Sequence, residues 1–322
     1  IEYLTVIVGF LFYTGAMEAL LVKSFGIPRQ IMTLMRYGIT LPGLFLIVTQ
    51  PKRVLECLIQ GKFAWLLMLL ASLSFLWSPN PSIPTSSIRS ELVPMALFSL
   101  FVAIRIPLKV QFLLMSFVLQ FVSFTSVFYA VAVPSIGIHQ EKWPGAWKGL
   151  FLHKNSFGAS MTLTAGILFI YLLKSHKRQL IQFLPLGITL GAAILSGSLG
   201  ALILSQVFCC LIFAISLLKW RGKQGLMWTY LGVVGTFLGL GVLLAIWNPL
   251  LTGLGKDPTI SARTEIWESA RMQLAENPVT LLLGFGRGVA WKTPTFIYRV
   301  YLHSGDAPAN AHNGFFEMAL DL

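Results

Sequence analysis

The chain has 322 residues, 56% of them hydrophobic and 11% charged, with a mean hydropathy of +0.75. Soluble domains carry about 25% charged residues, so this balance excludes an ordinary soluble enzyme, a nucleic-acid module and a disordered regulator. It leaves a protein that uses lipid as its solvent, and its few charges are one-sided: 24 Lys and Arg against 12 Asp and Glu.

A bilayer core needs about 20 apolar residues per helix. In chain order, residues 5–22, 31–49, 63–88, 110–135, 155–173 and 224–255 meet or approach that length, with Glu18 and Arg36 as edge charges. Residues 92–104 are shorter and contain Pro94; they count as a span because Arg105 can snorkel to the interface. Residues 179–218 are long enough for two passes, turning at Ser196-Gly-Ser-Leu-Gly200, where small residues tolerate tight backbone geometry. This predicts nine spans within residues 1–247, an outer loop over 248–311, and a tenth span starting at 312. The apolar runs are continuous and do not alternate, so the predicted class is an all-α polytopic membrane protein and not a β-barrel. No basic segment precedes residues 1–22, so they do not read as a signal peptide. The chain stops at Leu322 inside an apolar run, and further spans are expected beyond it.

Orientation follows the basic residues. Lys52, Arg53, Lys62, Arg105, Lys109, Lys174, Lys177, Arg178, Lys219, Arg221 and Lys223 occupy short connections that all fall on one face if there are nine spans. That face is the predicted cytoplasmic one, although Lys23 and Arg29 in the first outside connection run against it. Cys57, Cys209 and Cys210 have no metal-ligand spacing and form no disulfide framework.

Three outer segments are polar enough to build a site. Residues 77–91 hold three prolines, which predict an extended segment, with Arg89 as its one cation. Residues 139–155 carry Trp143 and Trp147, placed like interfacial anchors, and end in His153-Lys154-Asn155. In residues 248–311 the stretch 261–277 reads as an amphipathic helix closed by Pro278. Arg263, Trp267, Ala270, Arg271 and Leu274 share one face there. Such a helix can lie on the membrane surface or cap a cavity between spans. Beyond it come Gly284-Phe-Gly-Arg-Gly288, a basic aromatic stretch (Trp291, Lys292, Tyr298, Arg299, Tyr301), and His303, Asp306, His312 and Asn313.

Four of these pieces resemble one family, the O-antigen ligases and O-antigen or exopolysaccharide polymerases, with the exopolysaccharide-polymerase branch nearest. They are Leu76-Trp-Ser-Pro-Asn-Pro81, Trp147-Lys-Gly-Leu-Phe-Leu-His-Lys-Asn-Ser-Phe-Gly158, Ala262-Arg-Thr-Glu-Ile-Trp267 with Asn277-Pro278 and Gly284-Phe-Gly286, and His312-Asn313-Gly-Phe-Phe-Glu317. The resemblance implies a bacterial inner-membrane glycosyltransferase of the type-C kind, with its site at the periplasmic face. It implies a polyprenyl-pyrophosphate-linked glycan donor, a glycan or lipid-linked acceptor, contact with membrane lipid, and neither cofactor nor nucleic acid. One departure stands out: many ligases carry Ser-Arg after the seventh span, where this chain has Ser198-Leu199.

That chemistry needs cations for the leaving diphosphate and a base for the acceptor hydroxyl. The resemblance makes Arg263 the first candidate for the pyrophosphate, at a helix start whose N–H groups also favour an anion. His312 becomes the candidate base, since a neutral imidazole accepts a proton near neutral pH. Arg89, Lys154, Asn155, Arg271, Arg287 and Asn313 are the candidate substrate-binding residues. Each has a plainer reading: snorkelling or surface cations for Arg89, Arg263 and Arg271, a glycine turn around Arg287, interfacial anchoring for Lys154, and a helix cap for Asn313. His303, Asp306 and His312 match no metal spacing, and no metal is expected. Two alternatives to polymerisation stay open, ligation to a lipid A-core acceptor and transport of an anion such as bicarbonate. Transport would call for mid-membrane polar groups or broken helices.

Overall fold

The computed structural model describes residues 2–140, 143–174, 183–198, 263–305 and 307–322, with shorter pieces between 200 and 235. Among these residues there is no strand, only one isolated antiparallel bridge between Ile138 and Trp147. The fold is all-α. Among the described residues four helices are long and apolar enough to cross a membrane, or up to six if each of two bent pairs counts as one span. The chain is thus a polytopic membrane protein. Most of 224–255 lies outside the described residues, as do the boundary at 247/248, Lys256 and Leu199.

The chain divides into two units: residues 1–39 with 105–238, and residues 40–104 with 239–322. In the first unit, α1 (Glu2–Tyr13) stops at Thr14 and Gly15. The chain resumes as α2 (Ala16–Glu18) and a π turn (Ala19–Ser24), bent by 72° from α1. Gly15 takes φ +77, which a side chain would resist, and Thr14 Oγ1 accepts from the Ala16 amide at 3.4 Å. The first apolar run is therefore a broken helix and not one straight rod. Beyond the break, Glu18 pairs with Arg36 of α3 (Arg29–Thr49) at 2.8 Å. A charge among apolar helices is costly alone, and pairing offsets that cost.

The body of this unit is α8 (Leu108–Ala132) packed on α10 (Lys154–Lys174), with α11 (Phe183–Leu195) beside them; a single turn, α9 (Pro134–Gly137), follows α8. Phe157, Met161, Val118 and Val122 fill its centre. Between α8 and α10 runs a polar seam: Ser123 Oγ lies 2.7 Å from Thr164 Oγ1 and 3.4 Å from Ser160 Oγ. The chain turns at Ser196 and Gly197, where the apolar run was expected to reverse. Gly158 then brings α10 against the next segment, where an added Cβ would sit 2.6 Å from that of Ala201. Small residues allow such approaches between helices in lipid.

In the second unit, α4 (Pro51–Gln60) and α5 (Lys62–Leu73) form the other bent pair. A short 3-10 turn and the Trp77-Ser-Pro-Asn-Pro81 segment follow. Residues 82–105 are then one helical run: α6 (Ser82–Ser87), a π turn (Ile88–Leu92) and α7 (Val93–Arg105). This corrects the extended reading of 77–91. Pro81 and Pro84 sit at the start of the run, where their missing N–H groups cost little. Pro94 follows the π turn, whose wider spacing accommodates a proline inside a helix.

Four further helices of this unit build a sub-bundle: α12 (Arg263–Ala275), α13 (Pro278–Leu283), α14 (Pro294–Ser304) and α15 (Gly314–Asp321). In α12, Ile266, Ala270 and Leu274 recur every four residues and bury one stripe against Phe296 and Val300 of α14 and Leu320 of α15. Asn277 ends that helix before Pro278 and caps the next one, accepting from the Val279 amide at 2.8 Å.

Candidate functional site

His312 stands on a backbone that few residues adopt. Its φ is +53, the one positive φ at a non-glycine among the described residues. A left-handed non-glycine residue costs about 1–3 kcal/mol and persists where its surroundings impose it. The neighbours here are specific. Asn310 Oδ1 accepts from the His312 amide at 3.0 Å, and Asn313 Oδ1 caps α15 by accepting from the Phe315 amide at 2.9 Å. The preceding residue, Ala311, is fully buried. Its carbonyl accepts from Trp267 Nε1 at 2.7 Å, and its amide donates to Glu317 Oε1. Glu317 Oε2 also accepts from Trp291 Nε1 at 3.1 Å, while the Trp267 ring stacks on Phe316 with centroids 5.8 Å apart. The imidazole itself is at the exposed tip of this turn.

Arg263 opens α12, half-buried, one helical turn before Trp267. The tryptophan therefore ties the helix that carries Arg263 to the turn that carries His312. Arg271, two turns along, is not on the packed stripe. It is exposed and grips Glu268 with Nε to Oε2 at 3.0 Å and Nη2 to Oε1 at 2.7 Å. That hydrogen-bonded pair holds the Glu268 carboxyl below its ordinary range and raises Arg271. Arg299 pairs in the same way with Glu276.

Arg287 lies in the glycine loop between α13 and α14. Gly284, Gly286 and Gly288 all have positive φ, and two of them pass where no Cβ fits. At Gly284 one would meet Leu320 O at 2.6 Å, and at Gly286 Ser78 Cβ at 2.8 Å. A sequence of this kind could cradle a phosphate on its amides, but several are already engaged. Phe285 N donates to Leu320 O, Arg287 N to Ser74 Oγ at 3.0 Å and Gly288 N to Asp321 Oδ1 at 2.7 Å. The loop is a close-packed turn that presents the arginine side chain. Its guanidinium donates through Nε to Ser87 at 3.0 Å and pairs through Nη2 with Glu91 at 3.3 Å. Ser87 and Glu91 bond each other, so they share one side of the π turn. Arg89, two residues from each, projects from a different side.

Lys154 and Asn155 belong to the other unit, at the start of α10. Lys154 Nζ donates to Gly197 O at 3.3 Å and lies 5.3 Å above the Trp143 ring. The Lys154 amide donates to His139 Nε2, and that of Asn155 to His153 Nδ1. The Trp143 and His153 rings meet edge-on at 4.5 Å. The 139–155 loop thus folds onto the helix start around one lysine.

The structure gathers Arg263, His312 and Asn313 into one sub-bundle with Arg287 in its glycine loop, and it turns Arg271 away on α12. Spacing placed Trp267 on the face of Arg263 without giving it a partner, and Trp291, Glu317, Ser87 and Glu91 gained no role from spacing. One signal was available, since each of the 12 acids in so apolar a chain calls for a partner.

Residues 184–322 match the family model described as O-antigen ligase. That stretch of the chain is similar to the O-antigen ligases. No curated protein and no solved structure matches it. The matched segment contains Arg263, Arg271, Arg287, His312 and Asn313; Arg89, Lys154 and Asn155 precede it. The match supports a ligase- or polymerase-type function in general.

Proposed function

We propose that this protein is a polysaccharide polymerase of the O-antigen ligase type. It transfers a polyprenyl-pyrophosphate-linked oligosaccharide onto an acceptor glycan at the periplasmic face of the bacterial inner membrane. One observation carries the reading: Trp267, a turn after Arg263, bonds the residue that precedes His312. An arginine at a helix start and an exposed imidazole thereby belong to one folded piece.

In this reading His312 removes the proton from the acceptor hydroxyl as oxygen attacks the anomeric carbon. The glycosyl–phosphate bond breaks, and the polyprenyl pyrophosphate leaves with its electron pair. Arg263 and Arg287 stabilise the charge that develops on it. Arg287 is held from one side by Ser87 and Glu91, so its plane is set before an anion arrives. Arg89, Lys154, Asn155 and Asn313 contribute to glycan or phosphate binding, with Asn313 limited by its capping bond. Arg271, committed to Glu268, contributes least.

Arg263→Gln and His312→Asn test the reading, because asparagine tolerates the left-handed backbone. Each is expected to abolish polymer elongation at normal protein level and membrane insertion. Native polymer length in both variants would refute it.

A further inference from the structure

The Ala311 peptide groups are held from two sides by side chains that come from different helices. Trp267 Nε1, on α12, donates to the Ala311 carbonyl at 2.7 Å, and Glu317, on α15, accepts from its amide. Both side chains are fixed in turn. The Trp267 ring lies nearly parallel to Phe316, at 12°, and Glu317 receives a second bond from Trp291 Nε1. Ala311 is fully buried and the next residue is left-handed. The bonds to Ala311 therefore fix the chain entering a conformation it would otherwise leave.

We propose that Trp267 and Glu317 are positioning residues for His312: by clamping the buried Ala311 they hold the imidazole at the exposed tip of a left-handed turn. The proposal rests on the reading of His312 as base. Neither side chain has to touch the substrate. Their effect is to keep the imidazole nitrogen within hydrogen-bond reach of the acceptor oxygen, and misplacement by about 1 Å can cost a hundredfold in rate.

The clamp has a chemical asymmetry that gives it a specific signature. Glu317 accepts two N–H groups, so the carboxylate has an oxygen for each. In Glu317→Gln one oxygen becomes an NH2 facing a donor, and one bond is lost. Removing the Trp291 donor as well relieves that conflict and lets the remaining oxygen accept from Ala311.

The test uses the full chain in proteoliposomes with a polyprenyl-pyrophosphate-linked repeat unit as donor. Trp267→Phe keeps the ring and removes the N–H. It is expected to lower kcat about tenfold, on the scale of one lost charge-free hydrogen bond acting on geometry, with KM for the donor and the melting temperature near native. Glu317→Gln is expected to lower kcat similarly, and Trp291→Phe/Glu317→Gln to recover at least threefold of that loss. Native kcat in Trp267→Phe and Glu317→Gln, alongside an inactive His312→Asn, would overturn the clamp and leave the base standing. Equal losses in kcat and thermal stability without rescue would reduce both residues to a packing role and also overturn it. Full activity in His312→Asn would overturn the base assignment and the clamp together.

Discussion

In the sub-bundle of residues 263–322, Ile266, Phe296, Val300 and Leu320 close an apolar core, whereas between α8 and α10 an apolar centre of Val118, Val122, Phe157 and Met161 is joined by a polar seam of Ser123, Ser160 and Thr164. The first arrangement is how helices associate when water is the alternative, since apolar burial then supplies about 25 cal/mol per Å². The second is how they associate when lipid is the alternative. Hydrocarbon is as apolar as leucine, so small residues and interhelical hydrogen bonds do the work. The interhelical hydroxyl seam between α8 and α10 is the feature that separates the two regions.

This contrast can be broken by mutation, most severely in the sub-bundle. Phe296 is buried between Phe285 and Trp291 at 5.4 and 5.2 Å, and Phe296→Ala is expected to cost about 3–5 kcal/mol. Limited proteolysis should then cut within residues 263–322 while membrane insertion is unaffected. Resistance equal to the native chain would contradict a core that depends on Phe296. Next in size, Gly158→Val drives a side chain into Ala201, where even a Cβ sits 2.6 Å away. Overpacking of this kind costs about 1–3 kcal/mol, to be read as a lower unfolding temperature in detergent. Ser123→Ala is smaller, about 0.6 kcal/mol per interhelical bond lost, and a tenfold larger shift would mean that the seam carries more than packing.

The smallest effect belongs to Arg271→Gln. Glu268 is held below its ordinary carboxyl range by Arg271, so any stabilisation is present above the unfolded value and is lost as the pH falls through the lowered one. Both side chains are exposed, so the melting curve at neutral pH should not move beyond its error. A pH-dependent loss confined to acid would be the sole trace, visible in a titration of unfolding.

Much of the architecture was legible because apolar runs longer than about 20 residues have few readings. The breaks were harder to see. Thr14 and Gly15 bend the first run, and residues 82–91 are helical where an extended segment was expected, because Pro81 and Pro84 sit at the start of the run. His312 and Asn313 could be picked out as a pair at a helix entry, and Asn313 does cap α15. What surrounds them could not. Trp267 is 44 residues from the carbonyl it bonds, and Arg287 is 196 residues from Glu91. No local pattern encodes contacts across such distances, and they form the geometry of the site.

Ser74 and Trp77 lie early in the chain and their partners lie late. Ser74 Oγ accepts from the Arg287 amide across 213 residues, and Trp77 Nε1 donates to the Leu283 carbonyl at 2.5 Å across 206. During synthesis the turn after α5 emerges long before the glycine loop exists, and closing so long a loop must await it. The glycine loop is thus a late stitch of its unit, followed by α14 and by α15, whose Leu320 and Asp321 it also bonds. A nascent chain halted before residue 283 carries α5 but a serine and an indole without their mates, so this part of the unit is completed late in synthesis.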